Sequence, residues 1–147
     1  MRNELPMPDT ANHLDRYPAL AEMQAVPLFG NLGYQFTDAG EGWAEITFTA
    51  SPAANNLYGI VHGGVWLVLA DSAMGGALAT VAAPDERVIT AQSDFRWLRP
   101  LEGPTIRTHA TVLRRGRTLS HCEARLYDTT DRQIAHATGT YSIPPRP

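Results

Sequence analysis

The sequence predicts an α+β fold in which an antiparallel sheet wraps around one long helix. Three observations predict it. Residues 65–83 are almost free of polar side chains and are led by two adjacent glycines, Gly63 and Gly64. Two segments before this run and four after it alternate between apolar and polar residues, the period of half-buried strands. One sheet face packed on a helix, with the other facing water, satisfies the layering that a small domain needs.

Taken in order, residues 1–17 are polar, contain two prolines and read as a loose arm. Residues 18–25 suit a short helix with Pro18 in its first turn, and Pro27 is expected to end it. Residues 32–37 and 43–50 read as strands around a turn at 38–42. In the second strand Ala44, Ile46 and Phe48 alternate with Glu45, Thr47 and Thr49. Residues 51–55 are loop, and the glycine motif and its helix follow. Residues 87–98 place Ile89, Ala91, Ser93, Phe95 and Trp97 on one strand face, with Thr90, Gln92, Asp94 and Arg96 on the other. Residues 100–104 turn the chain, 105–113 and 118–127 form a hairpin across 114–117, and 128–131 lead into a last strand at 133–143. We divide the chain into an N-terminal arm with a possible short helix, residues 1–26, and a main domain, residues 27–147.

Composition removes several function classes. The chain has 147 residues, enough for a real core, and a net charge of −3, which provides no general basic field for nucleic acid. One cysteine, Cys122, cannot build an intrachain disulfide framework and suits a reducing compartment. It alternates with Ser120, Ala124 and Leu126, as a core residue would. The first fifteen residues have no basic segment followed by an apolar one, as a secretory signal would. Asp71 in the middle of the apolar run costs ~2.5–3.5 kcal/mol on insertion scales, which argues against a membrane span. His109, His121 and His136 sit on separate strands without zinc-type spacing, so no metal is expected. Ser72 lacks the glycines of a nucleophile elbow.

The chemistry points to the helix and its lead-in. An apolar helix that carries one carboxylate buries a costly group unless that group is paired or used. At the start of the helix, bare glycines let a ligand approach amides that have no intrahelical partner and sit at the positive end of the helix dipole. Such a place can hold an anion or a developing oxyanion. Gly63 and Asp71 are eight residues apart, about 12 Å along one helix. A base or nucleophile must act within ~3–3.5 Å of the reacting atom. If both groups serve one carbonyl, the second must come from another copy of the chain, and a two-fold dimer would carry two equal sites. Arg114, Arg115 and Arg117 crowd one turn, a pattern that fits either phosphate binding or a solvated hairpin tip.

The stretch Asn56-x-x-Gly59-x-x-His62-Gly63-Gly64, with Leu69-Ala70-Asp71 after it, resembles the hotdog-fold thioesterases of the PaaI-like branch. Weaker matches are Thr90, Leu98-Arg99-Pro100, Gly103 and Gly116-Arg117-Thr118-Leu119, so the resemblance spans about residues 29–143. It implies a hotdog fold and an acyl-CoA thioesterase, a hydrolase that releases a carboxylic acid and free coenzyme A and needs no cofactor beyond the coenzyme A of its substrate. Gly63 matches the glycine whose amide polarises the thioester carbonyl. Asp71 matches the acid that acts, from the partner chain, as general base or nucleophile. Asn56 matches a residue that orients water or thioester, Thr90 one that positions the attacking water, and His62 a motif position that shapes the loop. Gly64, Trp97, Leu98, Arg99 and Pro100, together with the turn Arg114, Arg115, Gly116, Arg117 and Thr118, fall where the substrate and its nucleotide end are expected. The resemblance further implies a homodimer that completes the site, assembled into a homotetramer, in the cytoplasm. Two alternatives belong to other classes: a noncatalytic acyl-CoA-binding hotdog protein, and a hotdog hydratase or dehydratase, which the pairing of His-Gly-Gly with Asp71 fits less well.

Overall fold

The computed structural model describes residues 13–147. A 3-10 turn, His13–Arg16, leads into α1 (Pro18–Gln24) and α2 (Pro27–Leu32). Strands β1 (Tyr34–Gly40) and β2 (Trp43–Thr49) follow, then α3 (Gly63–Ala79), and then β3 (Ile89–Trp97), β4 (Thr105–Arg115), β5 (Leu119–Tyr127) and β6 (Gln133–Ser142). The expected order of two strands, one long helix and four strands is therefore the observed one. The strands form one antiparallel sheet in the order β1-β2-β4-β5-β6-β3.

Several boundaries differ from the sequence reading for local reasons. Pro27 does not end a helix. It sits in the first turn of α2, where its missing N–H costs nothing, and Gly33 closes α2 in a left-handed conformation with φ of 83°. The β1–β2 turn narrows to Glu41-Gly42, and Gly42, at φ of 78°, supplies the positive φ that so tight a turn requires. Helix α3 starts two residues before the apolar run and stops at Ala79, where the Thr80 hydroxyl donates back to the Ala77 carbonyl at 2.6 Å. Residues 13–17 are not loose: Leu14 and Tyr17 pack against the core, and Leu20 of α1 is buried in it. The remainder of the expected arm, residues 1–12, lies outside the described residues.

The core lies between α3 and the inner face of the sheet. Ile46, Phe48, Ile106, Leu126, Ile134 and Tyr141 meet Leu69, Met74 and Leu78 of the helix there, all essentially without solvent contact. The helix is apolar all round but not buried all round. Gly64, Leu67, Val68, Asp71 and Ser72, spaced i, i+3, i+4, i+7 and i+8, form a partly exposed stripe. Beside it, β3 is an edge strand that is exposed over most of its length.

Candidate active site

The motif loop is built before it can do chemistry. The Asn56 carboxamide oxygen accepts the amides of Tyr58 at 2.9 Å and Ile60 at 3.4 Å, and the Asn56 amide donates to the Ile60 carbonyl at 2.8 Å. Asn56 is thus the internal clasp of the loop. Gly59 takes the positive φ of 76° that this tight closure requires. His62 is the N-cap of α3, its Nδ1 accepting the Gly64 amide at 2.9 Å, which places the ring proton on Nε2. The Val65 amide is spent on the His62 carbonyl, also at 2.9 Å. The Gly63 amide has no partner among the described residues. The loop therefore leaves one donor open at the positive end of the helix, and it is the one the sequence singled out.

Trp97, at the far end of β3, covers this helix start. Its indole N–H donates to the Gly63 carbonyl at 3.3 Å, and a Cβ placed on Gly63 would meet the indole at 3.4 Å. Pro100 lies near the same loop, lining a hollow of about 400 Å³ with Ile60, Val61 and Trp66. Leu98 is exposed, and the Arg99 guanidinium donates to the Gln133 carbonyl at 2.7 Å.

Asp71 lies two turns further along α3, in a separate setting. The Thr90 hydroxyl donates to its Oδ1 at 2.8 Å. The Tyr141 phenol donates to the same oxygen at 2.9 Å and to the Asp71 carbonyl at 3.1 Å. Both side-chain donors hold one oxygen, so Oδ2 is left without a partner among the described residues. Burial pushes the Tyr141 phenol far up, and the neighbouring Asp71 charge pushes it the same way, so it remains a donor at any ordinary pH. Burial likewise raises the Tyr34 phenol, which meets the Ser72 hydroxyl at 3.2 Å. The sequence reading brought Thr90 to this region and missed Tyr141. Tyr141 fell inside the last expected strand, 133–143, with no role assigned to it, and its link to Asp71 spans 70 positions.

Asp71 opens onto a cleft of about 720 Å³, walled by α1 on one side and by the segment before β3 on the other.

The register separates two groups of predicted residues. Trp97 pairs with Ala135, and Ala135 with Leu126, at the end of the sheet nearest Gly63. Ile89 pairs with Ser142, and Ser142 with Leu119, at the opposite end. One protomer thus holds Trp97–Pro100 and the 114–118 turn at opposite ends, so the two cannot form one surface within a chain. Nor is the turn a cluster of three free cations. Arg115 is ion-paired with Glu86 and also donates to the Gly116 carbonyl at 2.6 Å, whereas Arg114, Arg117 and Thr118 are exposed. Gly116 is required there, since a Cβ would lie 2.0 Å from the Leu119 carbonyl oxygen.

A six-stranded antiparallel sheet packed on one long helix is the hotdog thioesterase fold. The chain belongs to the thioesterase superfamily, whose family model matches residues 58–135, more than half its length. Among curated proteins, "Putative esterase Rv1847" of Mycobacterium tuberculosis is 30% identical over 113 residues, covering 75% of this chain and 81% of that protein. Among solved structures, a thioesterase family protein of Silicibacter pomeroyi superposes with a TM-score of 0.80 at 25% identity, covering 90% of this chain and 97% of that one. The PaaI protein of the E. coli phenylacetic acid degradation operon has the same fold, with a TM-score of 0.78 at 20% identity over 90% and 95% of the two chains. So does a Streptococcus pneumoniae hypothetical thioesterase solved with coenzyme A, with a TM-score of 0.73 at 21% identity over 85% and 94%. Membership of the superfamily assigns the broad chemistry, thioester hydrolysis.

Proposed function

We propose that the protein is an acyl-CoA thioesterase whose active site forms between two copies of the chain. The observation that carries this reading is the separation of the open Gly63 amide from the pinned Asp71 carboxylate along one helix. A two-fold axis that pairs β3 with its copy runs the two strands antiparallel. One chain's Trp97 end then lies beside the partner's Ile89 end. The Gly63 amide would thereby approach the partner's Asp71, and the nucleotide-facing residues Trp97–Pro100 would approach the partner's 114–118 turn. The open edge of β3 favours such pairing. So do the half-covered Leu67 and Val68 and the exposed Leu57, Tyr58 and Ile60.

In this site the thioester oxygen accepts the Gly63 N–H. That bond strengthens as negative charge develops in the tetrahedral state. The partner's Asp71, with Oδ1 held by Thr90 and Tyr141, uses Oδ2 as general base on water or as nucleophile on the carbonyl. Collapse of the tetrahedral species breaks the C–S bond and releases coenzyme A; attack by water leaves the carboxylic acid directly, whereas attack by Asp71 leaves a mixed anhydride that water then hydrolyses to the acid and the free carboxylate. No bound cofactor or metal takes part in this route. The Streptococcus pneumoniae relative with coenzyme A supports a coenzyme A thioester as substrate. The main domain, residues 27–147, would assemble as a homodimer within a homotetramer. A cytoplasmic location suits the one buried thiol, and among the described residues no helix is long and apolar enough to cross a membrane.

Thiol release from a panel of aryl- and alkyl-acyl-CoAs tests the reading directly. Asp71→Asn keeps the size and shape of the side chain and should cut kcat by about 10³-fold or more while acyl-CoA binding persists. Equal turnover by the two proteins would make Asp71 structural and overturn the mechanism.

A further inference from the structure

We propose that Trp97 is the positioning residue of the oxyanion donor: its indole clamps the Gly63–Gly64 peptide and so aims the Gly63 amide. This rests on the thioesterase reading above and gives one side chain of that site its role. Two adjacent glycines make a weak helix start, since neither has a side chain to restrain its backbone. The peptide between them is nevertheless tied at both ends. Its N–H, from Gly64, donates to His62 Nδ1 at 2.9 Å, and its oxygen, from Gly63, accepts the Trp97 indole N–H at 3.3 Å. A carbonyl oxygen has two lone pairs, so it can take the indole as well as a helix bond. The indole also occupies the place of the missing side chain. The atoms nearest to a Cβ on Gly63 would all be its own, Nε1 at 3.4 Å, Cε2 at 3.6 Å and Cζ2 at 3.7 Å. Trp97 thus supplies from the sheet the restraint that a glycine cannot supply itself.

The clamp is itself anchored. Trp97 pairs with Ala135 of β6, and the next two amides, Leu98 and Arg99, donate to the Ile134 carbonyl at 2.8 and 3.2 Å. The Phe95 ring packs against the Trp97 ring, with centroids 4.4 Å apart. Core packing does not account for a tryptophan at this place, because Trp97 is 52% exposed. What it has and phenylalanine lacks is the N–H, and that group is the one on the Gly63 oxygen. The consequence for rate follows from position. A reacting group misplaced by about 1 Å can cost ~10²-fold, so a loosened helix start weakens catalysis even with its donor present.

The test replaces Trp97 in the full-length protein in two ways. Trp97→Phe keeps an aromatic ring and removes the donor. Benzothienylalanine, placed at position 97 by codon suppression, keeps the bicyclic shape with sulfur instead of the N–H. For each, kcat and KM are measured with hexanoyl- and phenylacetyl-CoA, beside Tm and the affinity for the hexyl thioether of coenzyme A, which cannot be hydrolysed. The expected result is a kcat about tenfold lower in both, with KM, thioether affinity and Tm unchanged. That is less than the ~10²–10³-fold lost with an oxyanion donor, because the Gly63 amide is misplaced and not removed. In 15N relaxation, the Gly63 and Gly64 amides should be rigid in the wild type, with order parameters of about 0.85, and looser in both variants. A higher KM and weaker thioether binding at unchanged kcat would make Trp97 a substrate contact and overturn the clamp. A lower Tm with kcat and KM unchanged would make it a packing residue, and would overturn it too. Failure of the wild type to hydrolyse any thioester would remove the hydrolase reading instead. The order parameters would then decide the clamp by themselves, and values equal in all three proteins would overturn it.

Discussion

Two hydroxyls on one carboxylate oxygen give Asp71 a fixed direction. Thr90 and Tyr141 both donate to Oδ1, and Tyr141 also donates to the backbone carbonyl of the same residue. A hydrogen bond to a charged group contributes ~1.5–3 kcal/mol, and in the proposed mechanism the pair also aims Oδ2. Tyr141→Phe keeps the buried ring and removes only the donor. It should lower kcat about tenfold with little change in KM, and Thr90→Val should do the same. Steady-state kinetics on both, with thermal melts to show retained folding, check this. A rise in KM alone would mean that the two hydroxyls serve binding and not the carboxylate. Thr90 was legible because it lies on the strand following the helix and belongs to the weaker matches of the resemblance drawn from the sequence. Tyr141 was not, because a tyrosine inside an alternating strand reads as core, and only the folded sheet brings it under Asp71. Asn56 and His62 stood out in the motif, His62 as a residue that shapes the loop, but sequence could not tell that the Asn56 carboxamide oxygen is likewise spent on holding the loop and that His62 Nδ1 caps the helix.

At the scale of elements, the adjacent glycines of α3 answer to different neighbours. A Cβ at Gly76 would lie 2.4 Å from Phe36 Cε1 and 3.3 Å from Leu20 Cδ2, whereas at Gly75 the nearest atom is 3.8 Å away. Overpacking a core costs ~1–3 kcal/mol, more than the helix preference of alanine returns. Gly76→Ala should therefore lower Tm by several degrees where Gly75→Ala does not, and melting curves of the pair settle it. The β5–β6 turn makes a pH prediction. Burial pushes the Asp128 carboxyl up, but donors from Thr130 and Arg132 outweigh it and hold the group at about 2, below its ordinary 3.8. A folded pKa below the unfolded one stabilises the protein above the unfolded value, and that stability is lost as pH falls through the folded one. Asp128→Asn should melt lower than the wild type at pH 7, and the gap should close between about pH 4 and pH 2. Strand alternation made these elements legible in order and nearly in extent. What sequence missed was α2, since a proline that stops one helix can equally start the next, and the docking of residues 13–20, whose few apolar side chains gain meaning only against β1 and α3.

In the proposed mechanism the whole molecule is half of a working unit. The core is complete within one chain, but the stripe of α3 around Leu67 and Val68 stays partly open, and β3 offers an unpaired edge beside it. If Gly63 and Asp71 serve one carbonyl, their spacing along the helix calls for a second chain, and the sheet register gives the ends of one protomer at which Trp97 and Ile89 lie. Mixed dimers test this central claim most directly. Gly63→Pro removes the amide hydrogen at the first helical position, where proline is tolerated, and His62 at ψ of 134° has the extended backbone that must precede it. Gly63→Pro and Asp71→Asn should each be nearly inactive alone. Co-expressed in equal amounts, half of the dimers are mixed and each carries one intact site of two, so activity should recover to about one quarter of wild type. Activity no higher than that of the two variants measured separately would contradict the shared site and place Gly63 and Asp71 in different roles.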